Sequence, residues 1–493
     1  MNLDLGLGVS PAGRFLLMLH LVIWLVLAAY GLHRLHLIRL HRSRGRPTPP
    51  PADPIEWPRV TIQLPIKDER YVVERLLDAV AAVDYPRDRL EIQVLDDSSD
   101  ETAEVAGRKV AEMRSRGLDA IHVRRAERRG YKAGALQHGL EEARGELLAV
   151  FDADFVPPRS ILRELVPHFG DPRVGVVQAR WEHLNRDYSA LARAQAISLD
   201  SHFRIEHSAR MRGDRFFNFN GTAGILRKAC VIDAGGWQSD TLTEDLDLSY
   251  RAQLRGWRFI FAPQVACPGE LPVEMNAFKT QQHRWVKGSI QVARKLLPRI
   301  WRSSAPLSVK LEATIHLTNN VAYVFLFLLS LIVYPVVLAS YESKNVLLAV
   351  ADVALLLTAT VPILMYFAQG QRETRPDWVR QIRHVPFLLS LGIGLAVNNT
   401  RAVVEGLVGS RGDFHRTPKF QIERRGDGWW AKRYRSPVSA WVLLELGLGA
   451  YFVWAMVSLA RAELYAPLPF FALYVFGFLY VGILSLAHAA RRA

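Results

Sequence analysis

The sequence predicts an α/β domain with a mostly parallel, Rossmann-like sheet, inserted into an α-helical transmembrane bundle. From about Val60 to Ile300, short apolar stretches alternate with helix-like ones, as in sheets whose strands are joined by crossover helices. Apolar segments long enough to span a membrane lie on both sides of this region. The composition of the 493 residues agrees with this mixed architecture. A content of 22% charged residues is too high for membrane helices alone. A content of 50% hydrophobic residues, with a mean hydropathy of +0.05, is high for a wholly soluble protein.

The first apolar segment, Phe15–Tyr30, reaches about 20 residues with its flanks and is long enough to cross a bilayer. A signal peptide would carry its basic residues before the apolar run and a cleavage site after it. Here the basic cluster follows the run: Arg34, Arg39, Arg42, Arg44 and Arg46. The positive-inside rule therefore favours an uncleaved span that leaves the following chain in the cytosol. Residues 1–46 are assigned to this helix and its basic flank, and 47–58 to a Pro-rich linker.

Residues 59–300 are predicted to form the α/β domain. Its first elements are three strands and two helices, predicted at Val60–Pro65, Glu91–Leu95 and Glu146–Phe151, and at Val72–Val83 and Glu101–Arg116. Ligands of such sheets bind beyond the carboxyl ends of the strands. Asp97 and Asp152 follow two of the predicted strands, so acidic side chains are expected at the binding edge.

Beyond the α/β domain, four further segments are long enough to span a membrane. They are Ile315–Ala339, Val346–Phe367, Val438–Ala460 and Leu468–Ala487. The resulting units are 301–385, with two spans and a cytosolic loop, 386–436, with a short apolar segment and a basic loop, and 437–493, with two spans.

The short segment Pro386–Val397 decides on which side of the membrane the following loop lies. This loop, 405–436, has eight basic residues: Arg411, Arg416, Lys419, Arg424, Arg425, Lys432, Arg433 and Arg435. A sixth span would place them outside, against the positive-inside rule. We therefore expect five spans and one interfacial or re-entrant helix, with six spans as the alternative.

The charge and the cysteine count exclude several classes of protein. Two cysteines, Cys230 and Cys267, are too few for a disulfide scaffold or a cysteine zinc cluster. A net charge of +14 is compatible with nucleic acid or with an anionic membrane surface. Because the basic residues flank membrane segments and no recognition module accompanies them, membrane lipids are the expected partner and nucleic acid is not.

Two motifs carry the residue types that bind a nucleotide. Asp152-Ala153-Asp154 offers two carboxylates to a divalent cation and a diphosphate, although an acidic surface turn is the simpler explanation. Lys132 lies near a predicted helix start, where an ammonium group and free backbone donors suit phosphate, although ordinary amphipathic helices also begin in this way.

Two further motifs carry the residue types that act on an acceptor. In Thr243-Glu244-Asp245, one carboxylate is placed to act as a general base, or the tripeptide caps a helix. In residues 281–285, an amide, a guanidinium and an indole suit a sugar and a leaving diphosphate, and the same segment suits an amphipathic helix at the membrane surface.

In this order, these motifs resemble those of family 2 processive membrane glycosyltransferases. The matching groups are Asp-Asp-Ser at 96–98, Lys-Ala-Gly at 132–134, Asp-Ala-Asp at 152–154, Thr-Glu-Asp at 243–245 and Gln-x-x-Arg-Trp at 281–285. The strings 243–250 and 270–285 resemble the cellulose synthase-like branch that contains glucomannan and mannan synthases. The resemblance covers about 60–300 and implies a GT-A type fold for the cytosolic domain.

The resemblance implies a role for each matching residue. The catalytic pair would be Asp245, as the base, and Glu244. The acceptor and diphosphate site would comprise Gln281, Arg284, Trp285 and the loop residues Asn220 and Gly221. Mg²⁺ or Mn²⁺ would be held by Asp152 and Asp154. The nucleotide would be bound by Glu69, Asp97, Lys132, Asp152, Thr417 and Lys419.

Two details qualify the resemblance at the nucleotide end. Residues 414–419, Phe-His-Arg-Thr-Pro-Lys, resemble the mobile gating loop of the family, which requires this loop to be cytosolic. Glu69 follows Pro65 with Ile66, Lys67 and Asp68 between them, where family members often have an aromatic residue and Asn-Glu. The motif therefore does not select between uracil and guanine.

The expected activity is inverting, metal-dependent transfer from a UDP-glucose or GDP-mannose type donor to a growing β-linked mannan, glucomannan or glucan, coupled to export. A single-transfer enzyme with a diacylglycerol or ceramide acceptor is the alternative, and a catalytically inactive channel or scaffold is disfavoured by the intact acidic motifs. The sequence does not reveal whether export or accessory subunits take part. The expected location is the inner membrane of a bacterium, with polar residues of the spans either lining an export path or bonding helices together: His316, Thr318, Asn319, Asn320, Asn398 and Asn399.

Overall fold

The computed structural model describes residues 11–43, 51–409 and 417–490. Its central domain contains a seven-stranded sheet in the order β3-β2-β1-β4-β6-β5-β7. The strands are β1 Val60–Ile66, β2 Leu90–Asp96, β3 Asp119–Arg124, β4 Leu147–Val150, β5 Val174–His183, β6 Gly224–Arg227 and β7 Arg258–Gly269. Only β6 among these runs antiparallel to its neighbours, β4 and β5. The mostly parallel sheet predicted from the sequence is therefore confirmed.

Helices cover both faces of the sheet. They are α2 Val73–Ala81, α3 Thr102–Ser115, α4 Tyr131–Glu142, α5 Ile161–Leu165, α6 Ala190–Ser201, α7 Ser208–Arg212, α8 Lys228–Asp233, α9 Glu244–Leu254 and α10 Met275–Arg302. A π-helix, His202–His207, joins α6 to α7. Successive residues of β4 alternate between the two cores: Leu147 and Ala149 pack with α2 and α3, and Leu148 and Val150 pack with α4. The five elements predicted for this domain agree with the structure to within two residues at each end.

The remaining helices lie outside the α/β domain, and most of them are apolar. They are α1 Pro11–Ser43, α11 Leu307–Thr318, α12 Ala322–Ser343, α13 Val346–Thr374, α14 Trp378–Ile382, α15 Val385–Gly394, α16 Ala396–Val408, α17 Val442–Arg461 and α18 Leu468–Ala490. Within the part of the chain that the structure describes, five segments are long and apolar enough to cross a membrane, with α11 and α12 forming one of them. The segment that the sequence left ambiguous is a broken pair, in which α14–α15 and α16 are bent by 48°.

Close backbone contact fixes the crossing of α15 and α18. A Cβ atom added to Gly394 would lie 2.2 Å from the carbonyl oxygen of Gly477, so only glycine fits there. Helices in lipid gain little from apolar burial, and small residues allow the close packing that holds them together. The start of α16 is therefore held against a membrane helix.

A buried ion pair joins the α/β domain to the bundle. Lys279 of α10 lies 2.7 Å from a carboxylate oxygen of Glu445 on α17, and the two side chains are 5% and 0% exposed. Asn398 donates a hydrogen bond to the Lys279 carbonyl from α16. Helix α10 of the α/β domain thus contacts both α16 and α17 through Lys279.

Glu445→Ala is expected to lower the free energy of unfolding by about 3–5 kcal/mol, because it leaves the buried Lys279 ammonium without a partner. Unfolding in detergent micelles, followed by circular dichroism, measures this loss. Replacing both partners, as Lys279→Met with Glu445→Leu, removes the unpaired charge and is expected to restore most of the stability. Equal losses in the single and double variants would contradict this explanation.

Candidate active site

The candidate site lies at the carboxyl ends of β1, β2 and β4, in a cavity of about 190 Å³. Every site residue predicted from the sequence except Gly221 lines this cavity: Glu69, Asp97, Lys132, Asp152, Asp154, Asn220, Glu244, Asp245, Gln281, Arg284, Trp285, Thr417 and Lys419. They come from strand ends, helix starts and the segment after α16. The structure therefore brings together residues that are up to 350 positions apart in the chain.

Asp245 lies in the first turn of α9, which begins at Glu244. Its Oδ1 atom accepts a hydrogen bond of 2.8 Å from the backbone amide of Leu246. Burial and the neighbouring Glu244 carboxylate raise the pKa of Asp245 to about 7. The tripeptide thus lies at the start of a helix, without a side-chain cap hydrogen bond from Thr243, and it also presents a carboxylate to the cavity.

Gly221 lies against the cavity without lining it. Its φ of +79° belongs to the left-handed region, and an added Cβ atom would be 2.9 Å from Oδ2 of Asp245. Its carbonyl oxygen accepts a hydrogen bond of 2.9 Å from the Lys132 ammonium. Glycine thus allows the 219–222 loop to approach the carboxylate closely.

Lys132 is the second residue of α4 and faces the acidic groups. Its Nζ atom lies 2.5 Å from Oδ1 of Asp152 and 3.8 Å from Oε1 of Glu244. Although burial alone would lower it, these carboxylates carry the pKa of Lys132 above its ordinary value. Lys132 is therefore cationic at neutral pH and lies beside the predicted diphosphate site.

The segment 417–436, which follows α16, docks on the catalytic domain. Lys419 lies 2.5 Å from Oδ2 of Asp154 and donates 2.6 Å to the carbonyl oxygen of Glu270. The backbone amide of Phe420 donates to the Glu270 carboxylate. The structure places Thr417 and Lys419 at the cavity as expected for a gating loop, whereas Phe414, His415 and Arg416 lie outside the described residues.

The carboxylates fit a hard divalent cation. Asp152 and Asp154 line one cavity, and a lysine ammonium stands 2.5 Å from each of them, which marks both as positions for positive charge. Within the described ranges, no group of three or more His, Cys, Asp or Glu side chains is arranged to hold a metal. A cation here would take its remaining ligands from phosphate and water, as Mg²⁺ commonly does.

Sequence reasoning missed the partner of Asp97. Arg125 forms two hydrogen bonds with this carboxylate, the one from Nε being 2.9 Å long. Arg128 also lines the cavity and lies over the ring of Tyr131. The signal was a run rich in arginine, 124–129, directly before the predicted phosphate lysine.

The active-site cavity continues toward the membrane helices. A second cavity of about 430 Å³ shares Asp245, Gln281 and Trp285 with it and extends to Asn320. A third, of about 560 Å³, shares Asn320 with the second and lies among α1, α12, α13, α15 and α18. The three cavities together lead from the catalytic domain into the bundle.

The polar residues singled out in and near the spans differ in whether they line a cavity or bond to another helix. His316, Asn319 and Asn320 line the two deeper cavities. Thr318 instead bonds to Tyr30, and Asn398 bonds to Asn399 and to the backbone of α10. His316 and Asn320 also bond to other helices, through Tyr250 of α9 and Ser289 of α10, so lining a cavity and bonding helices together do not exclude each other.

Comparison with known proteins identifies the domain. Residues 58–288 match the family model described as "Glycosyltransferase like family 2". Glucomannan 4-beta-mannosyltransferase 1 of Oryza sativa subsp. japonica is 39% identical over 292 residues, 58% of this chain and 54% of that protein. Glucomannan 4-beta-mannosyltransferase 2 of Arabidopsis thaliana is 41% identical over 252 residues, 50% of this chain and 47% of that protein. The chain thus matches about half the length of these curated relatives.

A solved structure supports the fold. A mannosyltransferase from Pyrobaculum calidifontis, in complex with GDP-Man and Mn²⁺, is 23% identical and superposes with a TM-score of 0.53 over 79% of this chain and 99% of that one. The GT-A type fold is thereby confirmed, and apolar helices flank it. The resemblance drawn from the motifs is confirmed by the family model and the curated relatives. Residues 58–288 therefore match the family 2 glycosyltransferase model, and this part of the chain is similar to the glucomannan 4-beta-mannosyltransferases.

Proposed function

We propose that this protein is a hexosyltransferase that transfers mannose from GDP-mannose to a growing β-linked mannan or glucomannan, with inversion at the anomeric carbon. The observation that carries the proposal is the single cavity at which the donor residues, the carboxylate Asp245 and the acceptor residues meet. The similarity to glucomannan mannosyltransferases favours GDP-mannose over UDP-glucose as the donor.

Asp245 is proposed to remove the proton from the acceptor hydroxyl as that oxygen attacks the anomeric carbon. A carboxylate with a pKa of about 7 is well matched to accept this proton near neutral pH. One displacement needs one base and no covalent sugar intermediate, so an α-linked donor gives a β-linked product. Glu244 contributes by raising the basicity of its neighbour.

The leaving diphosphate is proposed to lie against Asp152, Asp154, Lys132 and Arg284. Asp152 and Asp154 would hold Mg²⁺ or Mn²⁺, which supplies positive charge to the phosphate oxygens. Lys132 and Arg284 add charge from the protein, where it stabilises the departing nucleotide. Asp97, paired with Arg125, would contact the nucleoside beside Glu69, and Thr417 and Lys419 would close over the nucleotide.

The acceptor is proposed to extend from Gln281 and Trp285 into the second cavity, with the loop of Asn220 and Gly221 beside Asp245. The amide groups of Gln281 and Asn220 suit sugar hydroxyls, and the Trp285 indole suits the apolar face of a sugar ring. Continuation of the cavity into the bundle supports transfer coupled to export.

Labelled GDP-mannose and UDP-glucose, each incubated separately with purified membranes, test this function. We expect label from GDP-mannose in a water-soluble or insoluble polymer that a β-mannanase degrades. Membranes with the Asp245→Asn variant provide the control. Label found only in the organic phase would overturn the polymer proposal in favour of a glycolipid product with a diacylglycerol or ceramide acceptor.

The contacts of the catalytic domain support five spans with the domain in the cytosol. The end of α13 contacts this domain, where Gln371 donates 2.9 Å to Asp200, and segment 417–436 contacts it through Lys419. The broken pair α14–α16 thus begins and ends on the same side of the bundle. This arrangement favours a re-entrant or interfacial pair, whereas the location in a bacterial inner membrane stays a prediction.

A tag inserted at Gly426 is expected to be inaccessible from outside intact cells. Gly426 is exposed and an added Cβ atom there would meet no neighbour within 4 Å, so an insertion leaves the fold intact. Labelling with an impermeant reagent, before and after permeabilisation, measures accessibility, and a tag in the α12–α13 loop at Lys344 is the matched outside control. Labelling at Gly426 in intact cells would restore the six-span alternative.

A further inference from the structure

Two histidines of the π-helix at 202–207 form hydrogen bonds with the side chain of Asn220, which lines the candidate site. Oδ1 of Asn220 lies 2.6 Å from Nε2 of His207, which donates to it, and Nδ2 of Asn220 lies 3.3 Å from Nε2 of His202, which accepts. Because His202 accepts at Nε2, its proton lies on Nδ1, which is 3.3 Å from Oε2 of Glu206. The two rings and Glu206 thus fix both the position and the orientation of the Asn220 amide.

Glu206 is buried and is held by groups from three helices. Arg34 of α1 pairs with it, Arg210 of α7 lies 3.0 Å away, and the Tyr366 hydroxyl of α13 donates 2.7 Å to it. Burial would raise the pKa of Glu206, but the Arg34 and Arg210 guanidinium groups hold it well below its usual range. Glu206 is therefore a permanent anion that links two membrane helices to the active-site loop.

Through Arg210, these contacts also extend to helix α11. Arg210 donates 2.9 Å to Glu312 of α11, and the other oxygen of Glu312 lies 2.8 Å from Nε2 of His33 on α1. π-Helical turns are rare and often occur at functional sites, because the extra residue changes which side chains share a face. With the π turn, His202 and His207 both contact the Asn220 amide, and Glu206 contacts His202.

We propose that His202 and Glu206 are positioning residues that orient the Asn220 amide toward the acceptor hydroxyl whose proton Asp245 removes, and that α1 and α13 set this orientation through Arg34 and Tyr366. The proposal rests on the proposed function, since it assigns Asn220 to the acceptor. Asn220 and Asp245 line the same two cavities, so an amide held in this orientation faces the acceptor side of the base.

The proposal separates acceptor alignment from donor binding. The donor residues Lys132, Asp152 and Asp154 make no hydrogen bond or ion pair with His202 or Glu206 among the contacts of the described residues. When the acceptor is misaligned, water attacks the donor instead, and GDP-mannose with water gives GDP, free mannose and a proton. The share of free mannose among the products therefore reports the alignment of the acceptor.

His202→Ala, in the full chain reconstituted in lipid nanodiscs, is expected to raise the ratio of free mannose to polymer by about tenfold, with the KM for GDP-mannose unchanged within about twofold. His202→Gln keeps an acceptor and a donor on one side chain and is expected to restore most of the wild-type ratio. Tyr366→Phe, which removes a contact to Glu206 from α13, is expected to give a smaller change in the same direction. His138→Ala, at a surface pair with Glu142, is the control.

An unchanged ratio in His202→Ala, or a parallel loss of polymer and free mannose that His202→Gln does not rescue, would overturn the positioning role. A wild-type protein that forms no polymer from either donor would count against the proposed function and this proposal together. The two failures are therefore distinguished by the wild-type product.

Discussion

Asp245→Asn is expected to lower the rate of sugar transfer by about 10²–10⁴-fold, the range in which a general base contributes. The amide has nearly the shape of the carboxylate and still accepts the hydrogen bond from the Leu246 amide, but it does not take up a proton. Initial rates of polymer formation from labelled GDP-mannose measure the loss. Nucleotide binding is expected to be retained, because Asp97, Lys132 and Asp152 are unchanged.

The matched control is Asp240→Asn, an exposed carboxylate shortly before α9 that pairs with Lys295 on the surface. Its rate is expected to stay near that of the wild type. A tenth or more of the wild-type rate in Asp245→Asn would remove the assignment of the base.

The pH dependence of transfer tests the role of Asp245 independently. Because the base works only when ionised and the pKa of Asp245 is raised to about 7, kcat/KM is expected to rise with pH through about 7 and then level off. Glu244→Gln removes a negative neighbour, lowers the pKa of Asp245 and is expected to move the rise to lower pH. A profile that Glu244→Gln leaves in place would show that another group limits the rate.

Removal of divalent cations is expected to lower transfer more than about a hundredfold, since a metal ion is worth several kcal/mol at a developing phosphate charge and each 1.4 kcal/mol is tenfold. Asp152→Asn and Asp154→Asn are expected to act in the same direction, because each removes one of the two carboxylates at the cavity. Chelator titration followed by addition of Mg²⁺ or Mn²⁺ measures the dependence.

Binding of Mn²⁺, followed by electron paramagnetic resonance, separates this effect from a loss of folding. Two carboxylates give few ligands, so tight binding is expected only when GDP is also present. Full transfer in excess chelator would remove the metal from the reaction and leave Lys132, Arg284 and Lys419 to supply the positive charge.

The sequence was sufficient for much of the fold and the site because both depend on local patterns. Alternation of apolar stretches predicted β1, β2 and β4, and carboxylates directly after two of them marked the binding edge. The motif resemblance then added α10 and its Gln281, Arg284 and Trp285, which no periodicity would have assigned to the site.

The remaining features depend on partners that are far apart in the chain. The sequence offers Asp97 and Arg125 as charges but does not say that they pair, and nothing in the π-helix segment predicts that Glu206 meets Arg34 across 172 positions. The same is true of the antiparallel β6, whose place in the sheet is set by tertiary packing. The bend between α15 and α16 also lacks a proline at the break and follows from packing against α18.

The ion pairs that Lys132 and Lys419 form with the two carboxylates affect how a donor with its cation would enter the pocket. Lys132 and Lys419 pair with Asp152 and Asp154 and neutralise the two carboxylates. Under the proposed roles, both ammonium groups turn to phosphate oxygens when a cation-bound donor enters, and return to the carboxylates when GDP leaves. Under these roles the pocket would exchange one set of counterions for another at nearly constant net charge.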